Sequence, residues 1–216
     1  MKFSLRNLLV FGVSALFFGT CGVPSALAVT NLASNPGFEA AIGGASNWDD
    51  TNAALRVNAA GMPAGFSAIP AGVFALRLNV NTFTFQTNTD ISAGDTVTFS
   101  ARAESSAAGA GTGGRLKLEF KNAADVTIST ALSALINTTN APNGVGFQTF
   151  QAVGVAPAGT VTTVFVFETS AIGAGEAIVF DSALVTAATG TTLAAGGTPV
   201  STANVLGNPG IEESIG

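Results

Sequence analysis

The sequence has no histidine, no tyrosine and a single cysteine, Cys21. Without histidine, the chain lacks the residue that a Ser-His-Asp triad and a histidine-ligated zinc site require. The glycine-rich stretch 111–114 is not followed by a Lys-Ser/Thr pair, which excludes a phosphate-binding loop. No pair of acidic residues stands in a recognisable glycosidase motif. These absences predict that the protein is not an enzyme.

Residues 1–28 have the pattern of an export signal. Lys2 and Arg6 precede an apolar run, Leu8 to Phe18, which is short for a membrane span. Ala26-Leu27-Ala28 then provides the small residues of a cleavage site. We therefore expect an exported protein, either secreted to the extracellular space or held at the cell surface. An uncleaved membrane anchor is the alternative interpretation.

Removal of this signal changes the charge and the redox chemistry of the chain. It takes away Cys21 and two of the eight basic residues, which leaves six against thirteen acidic ones, a formal charge of −7. Such an acidic surface argues against nucleic acid and against anionic membranes as partners. A mature chain without disulfides depends on its core, and a bound metal ion would be a natural additional staple.

Charged residues make up 10% of the chain and hydrophobic ones 47%, which excludes disorder and favours a buried core. From residue 73 onward, apolar and polar residues alternate with period two, as in strands that bury one face. The clearest alternation is in 115–121, whereas 164–167 is apolar on both faces, as a central strand would be.

About eight such segments, with no amphipathic helix between them, predict an all-β fold with two packed antiparallel sheets, a β-sandwich. We expect this domain to cover residues 29–187. The Thr-, Gly-, Ala- and Pro-rich stretch 188–203 is predicted to be a linker.

One short motif occurs near both ends of the chain. Residues 31–43 and 204–216 share seven identical positions out of thirteen. The identical pairs are Asn31/Asn204, Asn35/Asn208, Pro36/Pro209, Gly37/Gly210, Glu39/Glu212, Ile42/Ile215 and Gly43/Gly216. We interpret the first copy as the opening strand of the domain and the second as the start of another, incomplete copy. The alternative is that 204–216 takes the first-strand position in a neighbouring molecule.

Four segments follow one another in a recurring order: 35–39 (Asn-Pro-Gly-Phe-Glu), 72–78, 156–159 and 178–184. Together they resemble the galactose-binding-like jelly-roll modules, in particular the carbohydrate-binding modules attached to xylanases and glucanases. The resemblance covers roughly residues 30–187. It implies a jelly-roll fold and a poly- or oligosaccharide partner.

In that family a structural calcium ion commonly ties the first strand to the last. The resemblance places the site at the Gly37 carbonyl, the Glu39 carboxylate, loop carbonyls in 70–72, and Asp181. These are the oxygen ligands that calcium prefers, and an unpaired Asp181 in an apolar strand would be costly. The alternative is that Glu39 is a surface acid and that Asp181 pairs with Arg77 or hydrogen-bonds a loop.

Sugar recognition requires flat apolar faces and nearby polar groups. Trp48, between Asn47 and Asp49, is the best candidate for stacking on a sugar ring. Its alternative role is a ring that closes one end of the sandwich.

Phe83 and Phe85 fall where the family often places cleft aromatics, although phenylalanines on one face of a strand also form cores. Arg115, Lys117 and Glu119 form a polar stripe suited to a groove floor, or simply a solvated sheet face. Two functions follow: a secreted, non-catalytic carbohydrate-binding module, or a structural or adhesive repeat unit without a sugar site, whose partners are other modules or neighbouring copies.

Overall fold

The computed structural model of the chain describes residues 30–43, 48–49, 54–109 and 111–189. The predicted signal peptide (1–28), almost all of the predicted linker and the second motif copy (204–216) lie outside the described residues. Within the described ranges there are nine strands and one short 3-10 turn, Ala59–Gly61. The strands are β1 Leu55–Asn58, β2 Phe74–Leu78, β3 Phe83–Asn88, β4 Thr96–Ser105, β5 Gly113–Lys121, β6 Thr127–Leu132, β7 Gln148–Val155, β8 Thr162–Ser170 and β9 Ile178–Ala188. None of the described segments forms a helix with the length and hydropathy to cross a membrane.

The strands form two sheets, ordered β1-β2-β9-β4-β7 and β3-β8-β5-β6. Every neighbouring pair is antiparallel. The predicted all-β, two-sheet antiparallel sandwich is therefore confirmed. β6 had no counterpart in the prediction, because none of its residues is buried and its sequence shows no alternation.

The core lies between the two sheets and consists largely of aromatic and leucine side chains. Phe99, Phe165, Phe167 and Phe180 are fully buried, with ring centroids 4.7–5.9 Å apart where they meet. The apolar face predicted for β5 points into this core. Each such side chain contributes about 1.5–3 kcal/mol by leaving water, which favours burial of the strand faces that carry these side chains.

Residues 30–43, here called the opening segment, form turns rather than the predicted opening strand. The φ angles of Asn35 and Phe38 are 46° and 57°, in the left-handed region, which an extended strand cannot accommodate. The prediction of a regular strand is wrong for this physical reason.

The opening segment nevertheless attaches to the last strand. Leu32 N donates to Val185 O, and Ala183 N donates to Pro36 O, both at 2.8 Å. The Asn31 side chain completes the attachment, since Nδ2 donates to Ala183 O and Oδ1 accepts from Val185 N, each at 2.8 Å. The beginning and the end of the domain therefore meet.

Candidate functional site

The phenylalanines of β3 point away from the core. Phe83 is 39% exposed and Phe85 is half-buried, whereas Thr84 and Gln86 between them are buried. The interpretation of Phe83 and Phe85 as core residues is therefore wrong, and both rings lie on the outer face of the four-stranded sheet.

The polar residues of β3 face inward because backbone groups of Ser34, in the opening segment, and of Asp49 cover them. Gln86 Oε1 accepts from Ser34 N at 2.9 Å, and Gln86 Nε2 donates to Ser34 O at 2.6 Å. Thr84 Oγ1 donates to the carbonyl of Asp49. Each buried polar side chain is thus paired, which removes the cost of taking it out of water.

The two exposed rings form one aromatic surface. Their centroids are 6.4 Å apart and their planes differ by 26°. In the sheet register, Phe83 lies opposite Glu168, and Phe85 lies opposite Val166. The same rows continue onto β5, where Arg115 lies opposite Glu168 and Lys117 opposite Val166. The aromatic pair and the polar stripe thus share one face.

A groove of about 590 Å³ runs over this face. Phenylalanine rings, valine side chains and charged groups all contribute to its surface. Its lining residues are Asn81, Thr82, Phe83, Phe85, Thr87, Lys117, Glu119, Lys121, Asp125, Thr162, Val164, Val166, Glu168 and Thr169. Binding sites for small ligands combine apolar walls with a few convergent polar groups in this way.

Three charged residues, here called the polar triad, converge in the groove. Lys117 Nζ lies 2.7 Å from Glu168 Oε2 and 3.0 Å from Glu119 Oε1. Burial alone would lower the pKa of Lys117, but its hydrogen bonds to Glu168 and Glu119 outweigh this and raise the pKa above its ordinary value. The ammonium group is therefore charged and held in place at neutral pH.

Arg115 belongs to the same face but not to the lining of the groove. Its Nη1 donates to Ser133 O at 2.6 Å, toward β6. Of the three residues predicted as a polar stripe, Lys117 and Glu119 meet at the groove and Arg115 stands beside it. Sugar binding by these residues stays a prediction.

Trp48 was predicted to stack on a sugar, and in this structure it cannot, because its exposure is 0%. Its ring centroid lies 4.9 Å from that of Phe167 and 5.7 Å from that of Phe38. The indole Nε1 donates to Asn35 O at 3.2 Å. Burial of a large apolar ring is favourable and its N–H group is paired, so Trp48 fills the core beside the opening segment.

Glu39 and Asp181 accept hydrogen bonds from the same loop, residues 71–74. Glu39 Oε1 accepts from Val73 N at 2.9 Å and from Phe74 N at 3.1 Å. Asp181 Oδ2 accepts from Ala71 N at 3.0 Å. The bond of Asp181 to this loop, and the exposed position of Glu39, agree with the alternative that the sequence offered to a calcium site. The loop bonds of Glu39 were not predicted.

The charges around this loop are only partly balanced. Burial raises the pKa of Asp181, and the nearby charge of Glu39 adds to the increase, although hydrogen bonds from Ser182 and Ala71 oppose it. Backbone hydrogen bonds from the loop lower the pKa of Glu39, with a smaller contribution from Arg56. Asp181 is thus a buried acid whose ionised form is disfavoured.

The donor set fits calcium in kind, because carboxylate and carbonyl oxygens are its preferred ligands. Gly37 lies in the adjoining turn, which Phe38 N closes by donating to Asn35 O at 3.1 Å. Arg56 competes for part of this region, since its guanidinium donates to the carbonyls of Phe38 and Glu39. Across the described ranges, no three Asp, Glu, Cys or His side chains converge. A bound ion would therefore depend on two carboxylates, backbone oxygens and water.

Several groove residues were not predicted from the sequence, above all Glu168, Val164 and Val166. The apolar run 164–167 predicted a central strand correctly, but not that one of its faces lines a groove. Glu168 could have been noticed in the sequence, because it is an acidic residue directly after that apolar run. Its meeting with Lys117 depends on strand register, which a single sequence does not show.

No protein-family model matches the chain, and no curated protein sequence matches it. Among solved structures, the CBM22-1-CBM22-2 tandem domain of Paenibacillus barcinonensis Xyn10C has a TM-score of 0.50 at 13% identity, covering 77% of this chain and 48% of that chain. TmCBM61 in complex with β-1,4-galactotriose has a TM-score of 0.47 at 15% identity, covering 72% and 97%. The enzymatically active domain of tailspike protein 4 from bacteriophage CBA120 has a TM-score of 0.49 at 17% identity, covering 73% and 21%.

This chain therefore spans about a fifth of the tailspike chain and about half of the tandem-domain chain. At these identities the likeness concerns the fold alone. The chain has the jelly-roll β-sandwich fold of carbohydrate-binding modules. A fold does not determine a function, so the function of this chain has to be argued from the groove.

Proposed function

We propose that the chain is a non-catalytic carbohydrate-binding module that holds a poly- or oligosaccharide in the groove. The observation that carries this proposal is the near-parallel pair Phe83 and Phe85, exposed beside the polar triad. Exposed aromatic rings on a strand leave apolar area in water, which a sugar face would cover.

The groove offers a sugar two kinds of contact. The apolar face of the sugar ring packs on Phe83, Phe85 and the valines of β8 that line the groove. Its hydroxyl groups form hydrogen bonds with the polar triad. Lys117 supplies donors, and Glu119 and Glu168 supply acceptor oxygens. Both carboxylates share one ammonium group, an arrangement suited to holding hydroxyls in place rather than to delivering a proton.

Affinity gel electrophoresis against soluble xylan, β-glucan and galactan tests the proposal. We expect at least one of these polysaccharides to retard the wild-type chain and to lose that effect on Phe83→Ala/Phe85→Ala. Val153→Ala, an exposed residue of β7 outside the groove, is the control and should keep wild-type retardation. A double variant that migrates like the wild type would remove these rings from the site.

A structural calcium ion belongs to the same proposal. Glu39 and Asp181 would be its carboxylate ligands, and the Gly37 carbonyl and carbonyls of 70–72 would add oxygens. The support is the buried, incompletely compensated charge of Asp181 beside Glu39. The ion would supply positive charge between the two ends of the domain. Thermal melting in calcium and in chelator tests this, because a ligand that binds only the folded state raises the melting temperature.

Export of the protein is proposed from its first 28 residues, which precede the described domain. A glycan-binding module meets its ligand outside the cell, so the two proposals agree. N-terminal sequencing of protein recovered from the culture medium should begin at Val29. Retention of Met1 in a membrane fraction would favour the anchor interpretation instead.

A repeat unit of a larger assembly remains the second candidate, and one observation favours it. Two first-copy side chains that bond to the rest of the domain, Asn31 and Glu39, are repeated in the tail as Asn204 and Glu212. Asn35, whose side chain bonds to Ala40 within the opening segment, is repeated as Asn208. The tail thus carries the anchors of an opening segment, for a further module or a neighbouring copy. Concentration-dependent oligomers lost on deletion of 203–216 would support the neighbouring copy, and unchanged assembly would dismiss it.

A further inference from the structure

The charged side chains that line the groove are already paired with one another. Lys117 contacts both Glu119 and Glu168, and Lys121 Nζ lies 3.1 Å from Asp125 Oδ1. The lining has two lysines against three acids, a net charge of −1. Among the described residues, no lysine of this lining is without a carboxylate partner.

The two pairs differ in strength because they differ in exposure. The side chains of Lys117, Glu119 and Glu168 are 23%, 23% and 29% exposed, whereas Asp125 is 81% exposed. An ion pair withdrawn from water is screened less than an exposed one. The contacts of Lys117 with Glu119 and Glu168 are therefore stronger than the contact between Lys121 and Asp125.

A ligand carboxylate that entered this groove would meet a cation, Lys117, that is already paired with two carboxylates. Whether it used the remaining N–H of Lys117 or displaced Glu119 or Glu168, it would lie beside at least one carboxylate of the triad. Like charges at close range are destabilising, which is how binding sites reject a wrong partner. Hydroxyl groups meet no such obstacle, because each carboxylate oxygen keeps lone pairs free to accept from them.

We propose that the groove selects uncharged glycans and rejects those carrying uronate or sulfate groups, because Glu119 and Glu168 outnumber Lys117 and give the polar triad a net negative charge. This inference rests on the proposed function, glycan binding in the same groove, and names the class of glycan. The formal charge of the whole chain, −5, acts in the same direction at long range. The specificity thus resides in the two acids rather than in the aromatic pair.

Calorimetric titration of the full chain tests the inference. The probes are β-1,4-linked hexasaccharides of glucose, galactose and xylose, each compared with a form carrying uronate groups, at about 20 mM salt so that screening is weak. We expect wild-type protein to bind at least one neutral hexasaccharide, and its uronate form at least tenfold more weakly.

The variants separate the triad from net charge. Glu168→Gln removes one negative charge beside Lys117. The ratio of the affinity for the neutral hexasaccharide to that for its uronate form should fall by about fivefold, the effect of roughly one ion pair. Glu119→Gln/Glu168→Gln should lower it further. Asp90→Asn is the control, because it removes the same charge from an exposed loop outside the groove. It should change this affinity ratio less than about twofold, since exposed charges are screened.

Each outcome decides between the two proposals. Uronate forms that bind wild type as tightly as the neutral ones would overturn the inference and leave glycan binding intact. A Glu168→Gln effect no larger than that of Asp90→Asn would show that the charge of the polar triad does not set the specificity. If no hexasaccharide bound the folded wild type, the proposed function itself would fall, and the inference with it. Circular dichroism of each variant checks that it is folded.

Discussion

Glu39, near the start of the domain, and Asp181, on its last strand, hold the two sides of one loop. Glu39 accepts from Val73 N and Phe74 N, while Asp181 accepts from Ala71 N three residues before Phe74. The two carboxylates are close enough for the charge of Glu39 to raise the pKa of Asp181. The junction that joins the ends of the sandwich therefore contains two neighbouring acidic groups, and ionisation of Glu39 disfavours ionisation of Asp181.

The first prediction concerns the pH dependence of stability without calcium. Because the pKa of Asp181 is raised in the folded state, this residue contributes to the free energy of unfolding at low pH. That contribution is lost as the pH rises through the raised pKa. Glu39 has the opposite sign, since its lowered pKa gives stability that is lost as pH falls through the folded-state value. Urea unfolding in the presence of a chelator measures this effect. The stability of Asp181→Asn relative to that of the wild type should increase as the pH rises through the acidic range.

Calcium should reverse this trend for the wild type. At a hundredfold excess over its Kd, the ion should add about 2.7 kcal/mol to the free energy of unfolding. Asp181→Asn should lose most of that gain. Equal calcium responses of the two proteins would remove Asp181 from the proposed site, and no response in either would contradict the calcium proposal.

The second prediction concerns Gly72, in the loop that both acids hold. Its φ is +69°, and a Cβ built there would overlap the carboxylate of Glu39. Gly72→Ala therefore adds backbone strain of about 1–3 kcal/mol, and it also moves the flexible Glu39 side chain away from Val73 N and Phe74 N, so the free energy of unfolding should fall.

Gly94 supplies a matched control for Gly72. Its φ is +91°, but nothing lies within 4 Å of the Cβ position, so Gly94→Ala carries the backbone strain alone. Chemical denaturation should give the smaller loss for Gly94→Ala. Equal losses would mean that Glu39 does not occupy the space beside Gly72.

The third prediction separates Trp48 from the binding site. Trp48→Ala removes a buried ring that packs against Phe38, Phe99 and Phe167, and should cost about 3–5 kcal/mol of folding free energy. Since Trp48 is the sole tryptophan, intrinsic fluorescence reports on the core. A blue-shifted emission that glycan does not alter is expected, whereas quenching by glycan would place the ring at the ligand.

The fourth prediction concerns Asn31, the side chain that bonds the opening segment to β9. Asn31→Ala leaves Ala183 O and Val185 N without these partners and should cost about 1–3 kcal/mol. Asn31→Asp keeps the acceptor for Val185 N but loses the donor to Ala183 O, so denaturation midpoints should place it between alanine and wild type. An unchanged midpoint for alanine would show that this attachment is dispensable.

The regular strands were predictable because burial has a period. In β5, Leu116, Leu118 and Phe120 alternate with charged residues, and only one of the two faces can be buried at low cost. The apolar run in β8 likewise identified a central strand. The fold class could therefore be predicted from strands in which the polarity of the residues determines which face of the sheet is buried.

β3 shows where that reasoning ends. Alternation separates Phe83 and Phe85 from Thr84 and Gln86, but it does not say which pair faces inward. Here the polar pair is buried because a distant segment, through Ser34 and Asp49, supplies hydrogen bonds to it. The aromatic surface of the groove follows from those long-range contacts, which a local pattern does not contain.

Trp48 illustrates the same limit in a turn. A single aromatic residue among polar neighbours has no period, so the sequence does not distinguish a surface ring from a core ring. Its position follows from the turns of the opening segment, which were predicted as a strand. The attachment of Glu39 and Asp181 to one region was predictable from the family resemblance, and its hydrogen-bond pattern was not.

The most direct test of glycan binding in the groove is an NMR titration of isotope-labelled protein with a neutral β-1,4-linked hexasaccharide. The account predicts that the largest backbone amide shifts fall on β3, β8 and β5, near Phe85, Lys117 and Glu168, while the exposed face of β7 stays unchanged. Shifts concentrated on the five-stranded sheet, or no shifts with any hexasaccharide tested, would contradict it.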